Sequence, residues 1–325
     1  SWRTIFLINV PIGLINVGLA VALLRETAVR KDARMDLRGF ILSAIAFPGL
    51  LVGLSQGDAQ GWTSPFVVAL LIGGALALWA FIRTELGQAE PLLDIRLIGH
   101  PMFKLGLALN FITQFSLFGV QYILPLFLQL VHGLTASQTG LTIVPTGICT
   151  FISMHFSGRL YNRAGPRPLA VIGLVVMMGT TALLSRMTPQ TDVVLISALA
   201  SMRGLAMGLC MIPVQTMIYN TIPQAKISRA PALTNVFFRL YASVSTAILT
   251  TILVVSVSQH GARPGTSIAA GTTPVDATVA AFSDALLVMT GLSAIGVILA
   301  FFVKDSVAES FKRGELGRRE VPVEA

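Results

Sequence analysis

Residues 103–131 read FKLGLALNFITQFSLFGVQYILPLFLQLV, an apolar run whose one charge, Lys104, stands in its first turn. A helix rises about 1.5 Å per residue, so roughly 20 such residues cross the 30 Å or so of bilayer hydrocarbon. One run of this kind could be a buried helix in a large soluble protein, so recurrence decides. Working outward, eight similar runs appear: Thr4–Leu24, Leu37–Gln56, Pro65–Ile82, Thr139–Ser157, Leu169–Ser185, Val193–Tyr219, Asn235–Ser258 and Ala281–Val303. Buried helices of soluble proteins keep a polar stripe and do not recur nine times with charge confined to their ends. Charged residues make up 12% and hydrophobic residues 54%, where soluble domains average about 25% and 45–50%. The reading is an all-α polytopic membrane protein with nine transmembrane helices.

The basic residues sort by gap. Arg25, Arg30, Lys31, Arg34 and Arg38 follow the first span, and Gly57–Ser64 holds none. Arg83, Arg96 and Lys104 come next, and His132–Gln138 holds none. Arg159, Arg163 and Arg167 alternate with Arg186 alone; Lys226, Arg229 and Arg239 alternate with Arg263 alone. The tail carries Lys304, Lys312, Arg313, Arg318 and Arg319, so one side gathers nineteen of the 23 Lys and Arg. The positive-inside rule puts that side in the cytoplasm. The expectation is a multi-pass protein of the cell (inner or plasma) membrane, starting outside and ending with a cytoplasmic C-terminus. The net charge of +8 is spread over five segments with no basic helix or aromatic platform, so membrane lipid and not nucleic acid is the expected partner. Cys149 and Cys210 fall inside spans and read as packing residues, with no disulfide or metal site implied. Trp2–Arg3 run straight into an apolar helix after Ser1, with no basic region of the signal-peptide kind. The reading is the C-terminal part of something longer, or a truncated product.

Three stretches carry a family resemblance. Residues 2–13, WRTIFLINVPIG, resemble the opening of the sixth helix of the fourteen-helix drug:proton antiporters of the major facilitator superfamily (the EmrB/QacA type), with Thr4 in place of a usual aromatic. Residues 90–97, EPLLDIRL, resemble the linker before that family's ninth helix. Residues 158–167, GRLYNRAGPR, resemble the superfamily's cytoplasmic loop signature, with Asn162 where an Asp is usual. A loop carboxylate would favour a helix N-terminus and help hold one transport state, so its absence weakens that lock. The resemblance implies a conformational loop of Gly158, Asn162, Arg163, Gly165 and Arg167. It also implies a partial major facilitator fold: residues 1–36 as the sixth helix and its loop, 37–102 as the extra central pair and linker, 103–303 as the complete second six-helix half, and 304–325 as a cytoplasmic tail. The missing N-terminal half would be the partner across a midplane substrate site.

Polar stripes should face protein or water, because unsatisfied polar groups are costly in lipid. Asn110, Thr113, Gln114 and Gln121 lie within about 100° on one helix, and Asn235, Arg239, Ser243, Thr246 and Thr250 within about 80° on another. Arg203 lies roughly ten residues, or about 15 Å, from the end of its span. The span 169–185 is bland. The substrate-cavity candidates are therefore Asn110, Gln114, Gln121, Arg203 and Thr246. An Arg at that depth costs about 2.5–3.5 kcal/mol on insertion scales. It either faces a cavity or bonds partners in a packed interface. The carboxamides either hydrogen-bond substrate or link helices. Pro48, Pro125, Pro145 and Pro213 kink their helices, with or without a hinge role.

Proton coupling needs an ionisable group whose access changes between states. Among the 15 acidic residues only Asp284 sits inside an apolar span, and it and His155 are the proton-coupling candidates. Asp284 lies in the last helix, peripheral on the family plan, so the coupling acid is expected in the missing half. No metal or nucleophile motif appears, so no enzyme activity and no cofactor beyond the proton gradient is expected. The resemblance implies multidrug efflux: alternating access that exports a small hydrophobic or cationic molecule. The alternatives are export of one dedicated metabolite, siderophore or antibiotic, and a nontransporting scaffold or inert truncated product.

Overall fold

The computed structural model describes residues 7, 9–23, 37–87, 95–220, 230–260 and 273–303. The chain divides into two compact units, residues 1–37 and 38–325, and each is described by itself. In the first, α1 spans Asn9–Leu23. In the second, α2 (Leu37–Gln60) and α3 (Pro65–Gly87) form a hairpin. A 3-10 turn at Ile95–Gly99 leads to α4 (Pro101–Leu130), α5 (Ala136–Ala164) and α6 (Pro166–Leu184). Then follow α7 (Val193–Asn220), α8 (Ala230–Gln259) and α9 (Val275–Phe301). Among the described residues there is no strand. The eight helices α2–α9 are long and apolar enough to cross a membrane, and α1 is a shorter apolar helix. The architecture is an all-helical polytopic membrane fold.

Local chemistry explains the helix ends. Thr135 accepts from the Gln138 N–H while Gln138 reaches back to the Thr135 N–H, a capping box that starts α5. Only Gly165 separates α5 from α6. It takes φ 83° and ψ 173°, a backbone region open essentially to glycine, and Pro166 then opens α6 at its first position. Arg96, from the linker stretch, donates 2.7 Å to the Leu86 carbonyl and so satisfies an acceptor at the end of α3.

The six helices α4–α9 pack by a repeated rule. The first of each triplet, α4 or α7, touches the other, and each also touches the second and third helices of the opposite triplet: α4 packs on α8 and α9, α7 on α5 and α6. The third helices, α6 and α9, meet each other. Exchanging α4–α6 for α7–α9 therefore maps the main contacts onto themselves. Three helices is an odd number, so the two triplets run in opposite senses, the arrangement of inverted repeats in secondary transporters.

Small residues set the closest seams, as expected where lipid is the solvent and van der Waals packing drives helix association. On α7, Gly204 and Gly208 lie so close to α5 that added Cβ atoms would fall 2.5 Å from the Thr146 carbonyl oxygen and 2.6 Å from Ser153 Cβ. Hydroxyls cross the same seam: Ser197 donates to the Thr142 carbonyl at 2.7 Å and Ser157 to the Leu209 carbonyl at 3.4 Å. The outward faces are apolar. On α5, Leu141, Val144, Ile148 and Phe151 are all exposed.

Candidate functional site

The most enclosed span is α4. Its directions can be read from its contacts at about 100° per residue. Gly106 and Thr113 meet α7, the latter through Cys210 Sγ at 3.6 Å. On the other flank, the Leu107 carbonyl accepts from Tyr241 Oη of α8 at 3.2 Å, and Phe111 stacks edge-on against the same ring at 5.2 Å. Asn110, Gln114 and Gln121 point between these two directions. Asn110 and Gln114 are buried, 5% and 3% exposed, and Gln121 is exposed. Neither buried carboxamide forms a side-chain hydrogen bond among the described residues. Neither amide is among the sealed polar atoms without a partner, so the amide ends of both side chains open onto accessible space. The two stand a turn apart on the most enclosed helix.

Arg203 has a different surrounding. It is buried on α7, and its Nη2 donates to both the carbonyl and the hydroxyl of Ser116 on α4, the latter at 2.6 Å. Its Nε donates to Thr181 Oγ1 of α6 at 3.4 Å. The guanidinium thus ties three helices through neutral oxygens. Ser116 lies about 120° round α4 from Asn110, so Arg203 and the carboxamides occupy separate faces. The otherwise bland α6 supplies one of its anchors.

The α8 stripe is separate as well. Asn235, Arg239, Ser243, Thr246 and Thr250 lie between about 120° and 200° round the helix from Tyr241, the residue that meets α4. Thr246 is exposed and its hydroxyl donates to the Ala242 carbonyl at 2.9 Å, while Ser243 donates to the Leu51 carbonyl of α2 at 3.3 Å. Of the five cavity candidates, the structure brings Asn110, Gln114 and Gln121 to one face. It sets Arg203 and Thr246 elsewhere.

The stretch 158–167 is helical over most of its length: α5 runs on to Ala164, two turns past the apolar span, and only Gly165 is outside a helix. Gly158 and Arg163 are exposed on those turns, and the side chain of Asn162 lies outside the described residues. Arg167 stands 5.7 Å from the Phe301 ring of α9, a cation–π contact that joins two third helices at the arginine-rich end. His155 is exposed, edge-on to Phe156. Helix α9 begins at Val275, six residues before its apolar span, so Asp284 lies about two and a half turns inside it and not one. Its carboxylate accepts from Ser256 of α8. Glu85 lies three residues beyond the apolar span Pro65–Ile82, but α3 continues to Gly87 and buries it to 2% exposure.

A profile of the Major Facilitator Superfamily matches residues 35–246. The chain belongs to the major facilitator superfamily. The inverted triplets of α4–α9 match the plan of each six-helix half in that superfamily. Among its major facilitator relatives, an uncharacterised MFS-type transporter, YhcA, of Bacillus subtilis is 35% identical over 80% of this chain and 49% of its own length. A lincomycin resistance protein, LmrB, of Listeria monocytogenes is 28% identical over 94% of this chain and 64% of its own. A multidrug resistance protein, Stp, of Mycobacterium tuberculosis is 26% identical over 79% of this chain and 48% of its own. The chain thus spans about half to two thirds of the length of these curated relatives. The relatives are named as transporters or resistance proteins, and no catalytic family is indicated.

Proposed function

We propose that this chain supplies helices six to fourteen of a proton-coupled drug exporter, and that α4–α9 form one of its two transport halves. The carrying observation is the pair of buried, unbonded carboxamides Asn110 and Gln114 on α4. Two convergent amide groups in an apolar surround can orient a small molecule by one or two hydrogen bonds while its hydrophobic body takes up the rest of the space. Lincomycin resistance and multidrug resistance in the relatives' names support a drug-like cargo. The resemblance of residues 2–13 and 90–97 to the fourteen-helix antiporters supports the helix count and proton coupling.

In this reading the arginine-rich ends lie in the cytoplasm, by the positive-inside rule. The transporter's other half completes the cavity. The halves rock about it, with the α5–α7 seam moving as a unit because its glycine contacts and serine bonds leave no slack.

The test is efflux of a fluorescent lipophilic cation from cells expressing the full-length transporter. Asn110→Leu and Gln114→Leu keep side-chain volume and remove only the hydrogen-bonding groups. Efflux by each is expected to fall about tenfold or more, the loss of about 1.4 kcal/mol of cargo interaction. Efflux equal to the parent at equal membrane expression would overturn the site assignment. Efflux that persists after an uncoupler collapses the proton gradient would overturn the proton drive.

A further inference from the structure

A second constellation stands apart from the α4 face, between α8 and α9 at the arginine-poor end. Ser256 is 3% exposed, and its hydroxyl donates to Asp284 Oδ2. His260, one turn further along α8, places Nδ1 2.8 Å from the Ser256 carbonyl and 3.4 Å from Ser256 Oγ. A carbonyl only accepts, so Nδ1 carries a proton. Since Ser256 gives its own proton to the carboxylate, the lone pairs of Oγ are left facing Nδ1–H. The polarity of this row runs one way: imidazole to hydroxyl to carboxylate. It is not a nucleophile arrangement, because the hydroxyl proton goes to the acid and not to the ring.

Position reinforces direction. The His260 ring is exposed at the end of α8, whereas Asp284 is half-buried in an otherwise apolar stretch of α9. The row therefore connects water to a carboxylate lying below the helix end. Intramembrane carboxylate–histidine chains are the usual material of proton relays.

The geometry points to Asp284 as a proton-loading site filled from outside through His260 and Ser256. Water outside protonates the imidazole. The Nδ1–H bond then breaks as a new Oγ–H bond forms, and the original Ser256 O–H bond breaks as Asp284 Oδ2–H forms. An imidazolium and a carboxylate become a neutral imidazole and a carboxylic acid, so charge and protons balance. Other ionisable groups at this end, among the described residues, have their own surroundings: Asp192 accepts from the Val194 N–H at the start of α7. From the α6 side, Arg186 lines a cavity of about 490 Å³ together with Ser283 and with Asp276 of α9 itself. From α4, His132 stacks 5.4 Å from Phe127, whose ring meets Phe282 of α9 at 5.8 Å. None of these forms a hydrogen bond to Asp284.

This inference rests on the proton-driven reading above, and its test separates the two. The full-length transporter is reconstituted in vesicles, and uptake of a lipophilic dye cation is driven by an imposed pH gradient. Asp284→Asn is expected to lose gradient-driven accumulation while keeping dye counterflow, which moves no net proton. Ser256→Ala, which leaves both titratable groups in place, is expected to slow gradient-driven uptake about tenfold, or about 1.4 kcal/mol of barrier, and Ser256→Thr to restore it. His260→Gln is expected to remove the dependence of that rate on pH at the His260 side. If the parent responds to the gradient and both Asp284→Asn and Ser256→Ala match it, the loading site is wrong. If Asp284→Asn does not fold, the Ser256 and His260 variants decide alone. A parent that ignores the gradient removes the proton-driven reading and the loading site together.

Discussion

Gly204→Ala tests the α5–α7 seam, on which the rigidity of the six-helix unit α4–α9 depends. The added Cβ would fall 2.5 Å from the Thr146 carbonyl oxygen and 2.8 Å from Thr150 Oγ1. A carbon–oxygen contact settles at about 3.3 Å or beyond, so the helices must part locally by roughly 0.8 Å. Thr146 offers its backbone, which cannot rotate out of the way. The same displacement stretches the Ser197–Thr142 bond from 2.7 Å to the edge of hydrogen-bonding range. Overpacking costs about 1–3 kcal/mol, and a weakened interhelical bond adds about 0.6 kcal/mol, for a loss of about 2–4 kcal/mol. Gly147→Ala on α5 is the control, because nothing lies within 4 Å of its added Cβ. Both variants gain the same helix propensity of about 1 kcal/mol, so the difference between them isolates the seam. Thermal unfolding in detergent, followed by loss of the monodisperse size-exclusion peak, should place Gly204→Ala roughly 4–8 °C below Gly147→Ala, at about 2 °C per kcal/mol for a chain of this size. Midpoints within a degree of each other would refute the close-packed seam.

Asn110→Leu and Gln114→Leu should leave the unfolding midpoint unchanged or raise it, since each removes a buried group that has no bond to lose; a fall of several degrees, measured in the same assay, would mean that these carboxamides hold helices together. Arg203→Lys keeps the charge but cannot serve Ser116 and Thr181 at once, and the lost charged hydrogen bond should cost about 1.5–3 kcal/mol, read as a lower midpoint that Thr181→Val in the same background does not lower further. Gly165→Ala should cost about 1–3 kcal/mol, because alanine is strained at φ 83° and ψ 173°; a midpoint equal to the parent would show that the α5–α6 turn adjusts freely.

Much of the fold was legible because lipid demands long apolar runs and charge sorts to their ends. The span Val193–Tyr219 and helix Val193–Asn220 differ by one residue. Where the edges moved, hydropathy stopped but the helix did not. The arginines of 158–164 are good helix formers, so α5 continues until Gly165 can turn. The first turns of α9 likewise precede its apolar stretch. The site was legible by helix but not by face. Periodicity put Asn110, Gln114 and Gln121 on one side of α4, yet no spacing within one helix says which neighbour that side meets. The α8 stripe shows the limit: it is equally regular, and it turns away from α4 toward Leu51 of α2. Arg203 shows another. Its anchors, Ser116 and Thr181, are single hydroxyls in apolar company. The Ser256–His260 link to Asp284 crosses between helices, so only packing reveals it.

The most direct measurement is the sidedness of the helix ends. In a background with Cys149 and Cys210 replaced, single cysteines at Gly61 and Gly133 stand in turns at the arginine-poor ends, and one at Arg163 stands at an arginine-rich end. An impermeant maleimide added to intact cells should label positions 61 and 133 and should reach 163 only after the membrane is opened. Labelling of all three in intact cells, or of none until lysis, would contradict a chain that threads the membrane with its arginines inside.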